Sequence, residues 1–166
     1  MKNLLLNIDT EWELFFIGAI ILFLVLIIFQ IIEMNKIEKQ IKELANNALE
    51  MSPKEFFEMR NKSFGGRGRP QYSNNFNFAG VYILHNCSKD IYYVGQGKQI
   101  LNNVNAHFTG KGNGDVYADY KYGDKFTIKM ISLKKSGFFS LNELKRHTIK
   151  VFDAYNKGYN KTRGNS

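Results

Sequence analysis

The residues best placed for chemistry in this chain are tyrosines, carboxylates and cations, because the familiar nucleophile and metal patterns do not form. A single cysteine, Cys87, excludes a disulfide scaffold and a cysteine-built zinc cage, and fits a reducing compartment. Gly95-Gln96-Gly97-Lys98 lacks the GxxxxGK[ST] spacing of a phosphate loop. Gly110-Lys111-Gly112-Asn113-Gly114 reads as a mobile loop, and no Ser, Cys or His triad can be spaced from the sequence. What stands out instead is charge: from Arg60 onward 18 Lys/Arg face 6 Asp/Glu, a net of +12. Aromatic side chains are interleaved with those cations, as in YADYKYGDKF. Cations neutralise phosphates and rings stack on bases, so this surface suits nucleic acid. Anionic lipid is the competing partner, but it would concentrate cations near residues 34–62, whereas most lie further on. Arg67, Arg69, Lys98 and Lys111 are the candidate DNA-binding cations.

The elements that must position these groups begin near Phe78. Val81–Leu84 and Ile91–Val94 flank Asn86-Cys87-Ser88-Lys89-Asp90, which reads as a hairpin with a polar loop. Ile100, Leu101, Val104 and Phe108 have helical spacing over about residues 98–108. A polar loop, TGKGNGDVYADYKYGD, leads to a third strand over 126–133, and a last helix runs from about Leu141 to Tyr155. The order β-β-α-β-α predicts an α+β domain with a small antiparallel sheet packed by helices, over residues 79–166.

Gly80-Val81-Tyr82, then Tyr93-Val94-Gly95, and a closing Gly158-Tyr159-Asn160 resemble the GIY-YIG nuclease superfamily over residues 80–166. The resemblance implies a three-stranded antiparallel sheet, one divalent metal (Mg²⁺ or Mn²⁺) and phosphodiester hydrolysis. It places Tyr82 near the attacking water in proton transfer, with Tyr93 orienting the site. His107 falls where family members often carry histidine, and Asn160 is the supporting asparagine. A cation and an arginine would neutralise the growing charge on the phosphate. Two positions depart from the family pattern. Asn103 stands where the phosphate-binding arginine is expected, and Lys145 where the metal glutamate is expected. Asparagine brings no guanidinium fork, and lysine replaces the anionic oxygen a hard cation needs. Glu143, Asp115 and Asp119 are the carboxylates left as metal candidates, although a solvated loop is the simpler role for the two aspartates. Lys98 or Lys145 can hold a phosphate as a point charge.

The N-terminal third lives in a different solvent. Leu14 to Ile32 is 19 residues with no charge and only Gln30 polar. As a helix this stretch spans roughly 28 Å, close to the hydrocarbon thickness of a bilayer. The acidic leading segment 1–13 and the IIEMNKIEK that follows do not fit a cleaved signal peptide, so 14–32 is expected to be a retained transmembrane helix. Lys36, Lys39 and Lys42 against Lys2 place the N-terminus outside and the C-terminal domain in the cytoplasm by the positive-inside bias.

Between these parts, residues 33–61 read as a helical stalk and 62–78 as a basic flexible linker. Met34, Ile37, Ile41, Leu44, Ala48 and Met51 form a short heptad stripe. That stripe fits either a parallel homodimer through 34–51 or a stalk lying on its own domain or on lipid. Ser52-Pro53-Lys54-Glu55 has the form of a helix start with a capping box.

Taken together, the sequence predicts a membrane-anchored endonuclease that hydrolyses DNA at the cytoplasmic face, with incoming phage or conjugative DNA as the natural target. The first alternative is a degraded nuclease domain acting as a membrane-tethered DNA-binding protein. The second is a structural or interaction protein that binds neither DNA nor metal.

Overall fold

A computed structural model describes residues 2–61 and 77–164, with side chains from Trp12 onward. The chain separates into two compact units, 1–39 and 40–166. The first is part of one helix, α1 (Lys2–Asn47), whose side chains from Trp12 through Ile32 are exposed. This helix is long and apolar enough to cross a membrane.

The second unit is α+β. After the end of α1 come β1 (Glu50–Met51), α2 (Pro53–Asn61), β2 (Gly80–Asn86), β3 (Ile91–Gly97), α3 (Ile100–Phe108), α4 (Gly114–Lys121), β4 (Phe126–Ser132), a 3-10 turn (Leu133–Lys135) and α5 (Leu141–Val151). The sheet is antiparallel with strand order β1-β4-β2-β3. It therefore has four strands rather than the three expected. The extra strand comes from the stalk, where Glu50 and Met51 pair with Lys129 and Ile128 on the free edge of β4.

The apolar run of β2 explains its central position. Tyr82 and Leu84 face a core made with Phe56, Leu101, Val104, Phe108 and Val116. Val81 and Ile83, on the opposite face by strand alternation, are buried on the side carrying Leu144 and Ile149 of α5.

The stalk belongs to this unit from Gln40 onward, and it is not helical throughout. Ile41, Ala45, Met51 and Phe56 are buried in it, so the chain itself covers that part of the heptad stripe. The capping box forms as read: Glu55 N–H donates to Ser52 Oγ (3.2 Å) and Ser52 N–H donates to Glu55 Oε2 (2.7 Å). Most of the linker, with Arg67 and Arg69, lies outside the described residues.

The expected polar loop after α3 contains α4 instead. Asn113 caps that helix, its Oδ1 accepting from the N–H groups of Asp115 (2.9 Å) and Val116 (3.1 Å). The last helix ends at Val151, four residues before the expected Tyr155, and Phe152 begins a turn leading into Gly158-Tyr159-Asn160.

Candidate functional site

Adjacent strands and the end of α3 bring Tyr82, Tyr93 and His107 together. Tyr82 stands directly across from Gly95 in the β2–β3 register, and its ring covers that glycine so closely that a Cβ there would overlap it. The glycine of the second motif is therefore explained by the tyrosine of the first. Tyr82 and Tyr93 ring centroids are 6.2 Å apart, and His107 lies 5.6 Å from Tyr82 and 4.5 Å from Tyr93.

The hydrogen bonds give this cluster a direction. Asn113 N–H donates to His107 Nδ1 at 2.9 Å, which makes Nδ1 the acceptor of a neutral ring and puts the proton on Nε2. His107 Nε2 then donates to the Tyr82 hydroxyl at 2.8 Å. Burial pushes His107 down to about 4, so the ring is uncharged at neutral pH. Burial, and then the neighbouring Tyr93, push the Tyr82 hydroxyl well above its ordinary value; burial also raises Tyr93. Neither His107 nor Tyr82 is arranged to take up a proton. Both are buried, whereas Tyr93 is half-buried and is the member of the three that meets the surface. The cluster can donate hydrogen bonds to an anion from its edge, but it carries no charge of its own.

Asn160 braces the strand that carries Tyr93. Its Nδ2 donates to Val94 O and its Oδ1 accepts from Val94 N–H, both at 2.8 Å, so a side-chain amide pairs with the outer edge of β3 as a neighbouring strand would. Tyr159 N–H adds a bond to Tyr92 O at 2.9 Å. Asn103 is also engaged, its Nδ2 donating to Gln96 O at 2.7 Å. Lys145 is half-buried on α5, and Lys98 and Lys111 are exposed. Lys111 sits two residues before the Asn113 that contacts His107.

Each of the three carboxylates proposed for a metal has other partners. Glu143 Oε2 accepts from Phe139 N–H at 3.0 Å, while Glu143 N–H donates to the Oγ of Ser140, which caps α5. Asp115 pairs with Lys161 at 3.0 Å. Asp119 accepts from the Tyr159 hydroxyl at 2.6 Å and pairs with Lys89 at 2.7 Å. The Lys89 contact, then the Tyr159 hydroxyl, hold the Asp119 carboxyl below its usual value. No cluster of three His, Cys, Asp or Glu able to hold a metal occurs among the described residues. A divalent cation needs anionic oxygens, and the tyrosine cluster offers phenols and an imidazole whose two nitrogens are both engaged. The residues present do not fit the metal that the resemblance implies.

Sequence reasoning missed Asn86 and Asn113. Asn86 is fully buried, donating to Tyr159 Oη and to Asp124, both at 2.7 Å. Its only signal was its place at the start of a turn. Asn113 was hidden among glycines that read as a loop, though asparagine before Gly-Asp is a normal helix cap. No family model matches this chain, and no curated protein or solved structure matches it either.

Proposed function

We propose that this chain is a membrane-tethered DNA-binding protein whose C-terminal unit is a GIY-YIG-type domain without metal-dependent cleavage. The observation carrying this reading is the pairing of a net +12 from Arg60 onward with an uncharged Tyr82–Tyr93–His107 cluster whose candidate metal carboxylates are bonded elsewhere. A cationic surface binds the phosphate backbone through counterion release, which needs neither metal nor base. Hydrolysis needs charge stabilisation at the phosphate, and losing a single transition-state donor alone costs about 10²–10³ in rate. Here both the arginine and the glutamate expected from the resemblance are replaced, by Asn103 and Lys145.

The apolar helix supplies the tether, with Lys36, Lys39 and Lys42 holding the C-terminal unit on the cytoplasmic side. Confinement raises local concentration only at the membrane, so DNA crossing it, from phage or by conjugation, is the natural target.

The test uses the full chain in lipid nanodiscs. Duplex DNA should bind with an affinity falling steeply between 50 and 200 mM salt (roughly 10³-fold if about six phosphates are contacted), while plasmid stays intact in Mg²⁺ or Mn²⁺. Cutting by the parent chain, abolished by Tyr82→Phe, would restore the endonuclease reading. Cutting only after Asn103→Arg with Lys145→Glu would support the tether. Absence of DNA binding at 50 mM salt would leave the structural alternative. An anchor-free chain that protects cells against incoming DNA as well as the anchored one would sink the proposed target.

A further inference from the structure

Phe139 is 97% exposed, the highest value for a large apolar side chain among the described residues. Its loop is nevertheless firmly held. Ser136 Oγ donates to Leu133 O at 2.8 Å, Phe138 N–H donates to Ser136 Oγ at 3.2 Å, and Phe139 N–H donates to Glu143 Oε2 at 3.0 Å. Phe138, half-buried, lays its ring near His147 with centroids 5.8 Å apart. Two adjacent phenylalanines are thus divided, one tucked in and one held out. Lys134 and Lys135, both exposed, precede them on the 3-10 turn.

The loop is fixed at the point where the chain enters the unit. Gln40, the unit's first residue, donates from Nε2 to Ser136 O at 2.8 Å. Phe139 is three residues from that carbonyl, so its Cα lies within about 11 Å of the Ser136 Cα. The uncharged run ends at Ile32, eight residues before Gln40. Eight residues rise about 12 Å as helix and reach no more than about 29 Å in any conformation.

We propose that Lys134, Lys135 and Phe139 form a second membrane contact, in which this loop docks onto an anionic bilayer surface. The inference rests on the reading of α1 as a membrane span. The ring would insert at the boundary between headgroups and acyl chains, where the apolar side chains of surface-bound segments are buried, and the two ammonium groups would lie on anionic lipid. A tether this short keeps the loop at high effective concentration near the bilayer, so a weak contact of two cations and one ring is enough to hold it. A nucleic acid or a second copy of the chain has no such tether to this loop.

The full chain carrying Trp12→Phe and Phe139→Trp, in nanodiscs with brominated acyl chains, places one indole in the loop. In phosphatidylcholine with three-tenths phosphatidylglycerol, the emission should be quenched about twofold and blue-shifted. Quenching should weaken in phosphatidylcholine alone, and in the anionic discs it should fade with Lys134→Gln plus Lys135→Gln. An unquenched Trp at 139 in both lipid mixtures overturns the proposal. So does its shielding from iodide only on adding duplex DNA or on raising protein concentration, which would assign the loop to nucleic acid or to self-association. Trp12 of the parent chain separates the two ways to fail. If Trp12 is unquenched in brominated discs, the span itself is wrong; if Trp12 is quenched and the loop is not, only the docking is wrong.

Discussion

Two polar regions flank the same small sheet and solve burial in opposite ways. Tyr82, Tyr93 and His107 form a cluster with no formal charge, ordered by one backbone N–H on His107. Asp119, Asp124, Lys89, Tyr159 and Asn86 form a charged network that ties α4 and the β2–β3 hairpin to the C-terminal segment. The candidate metal carboxylates are engaged in backbone bonds, ion pairs and a tyrosine hydroxyl, and the Tyr82–Tyr93–His107 cluster is neutral. Residue identity and residue use are separate matters: Asp119, four residues from Asp115, holds a tyrosine hydroxyl.

The most severe way to break the neutral cluster is Gly95→Ala. A Cβ there overlaps the ring of Tyr82, which is buried and has no room to withdraw. Overpacking of this kind costs about 3 kcal/mol, read from urea unfolding of the full chain in detergent. An unfolding midpoint within error of the parent would mean that the ring does not rest on the glycine.

A pH titration of stability should separate the two regions by window. His107 has an ordinary value of 6.5 lowered to about 4 by burial. The unfolded chain therefore takes up a proton below pH 6.5 that the folded chain refuses until about pH 4. Stability is full above 6.5 and declines through that interval, by roughly 3 kcal/mol in all. His147, lowered by burial and then by Arg146, adds a contribution of the same sign, so His107→Gln should remove part of the slope and not all of it. Asp119 behaves oppositely in position: its stabilisation is complete above its ordinary 3.8 and is lost only as pH falls below that. A decline confined to pH below 4 in the parent chain would contradict the buried neutral imidazole.

How much of this could be seen in advance follows from the range of the interactions. The two strands of the hairpin, helix α3 and the capping box at Ser52 were legible because each depends on residues within one or two turns of one another. The long apolar helix was legible for the same reason. The fourth strand was not, because Glu50 and Met51 look like the tail of a heptad stripe until β4, nearly eighty residues later, offers an open edge. The meeting of Tyr82, Tyr93 and His107 was anticipated through a resemblance, whereas the orientation of their hydrogen bonds depends on the Asn113 backbone and could not be. Ser140-Leu141-Asn142-Glu143 repeats the Ser-x-x-Glu form of the Ser52 box, so the bonds that Glu143 makes at the start of α5 lie within reach of local sequence.

Smaller effects sharpen the contrast. Tyr159→Phe removes the hydroxyl that donates to Asp119 and accepts from Asn86. Asn86 keeps Asp124 and Asp119 keeps Lys89, so the loss should be about 1–2 kcal/mol by urea unfolding, with the low-pH decline assigned to Asp119 made shallower. A loss above about 4 kcal/mol would show that the hydroxyl organises the network and does not merely join it.

The smallest effect expected is that of Lys89→Met, and its salt dependence carries more meaning than its size. Lys89 lies 2.7 Å from Asp119 and 3.5 Å from Asp124 with its side chain 47% exposed, so its ion pairs are largely solvated. Pairs of that kind contribute little and are screened within about 10 Å at 0.1 M salt. Methionine keeps the apolar stem, leaving only the charge changed. The urea midpoint should fall slightly below the parent's at 20 mM salt and match it at 0.5 M. Tyr93→Phe in the neutral cluster should cost about 1 kcal/mol, with no dependence on salt, because no ion is removed. If both substitutions responded to salt alike, the division of the sheet into a charged end and a neutral end would not describe how the fold is held.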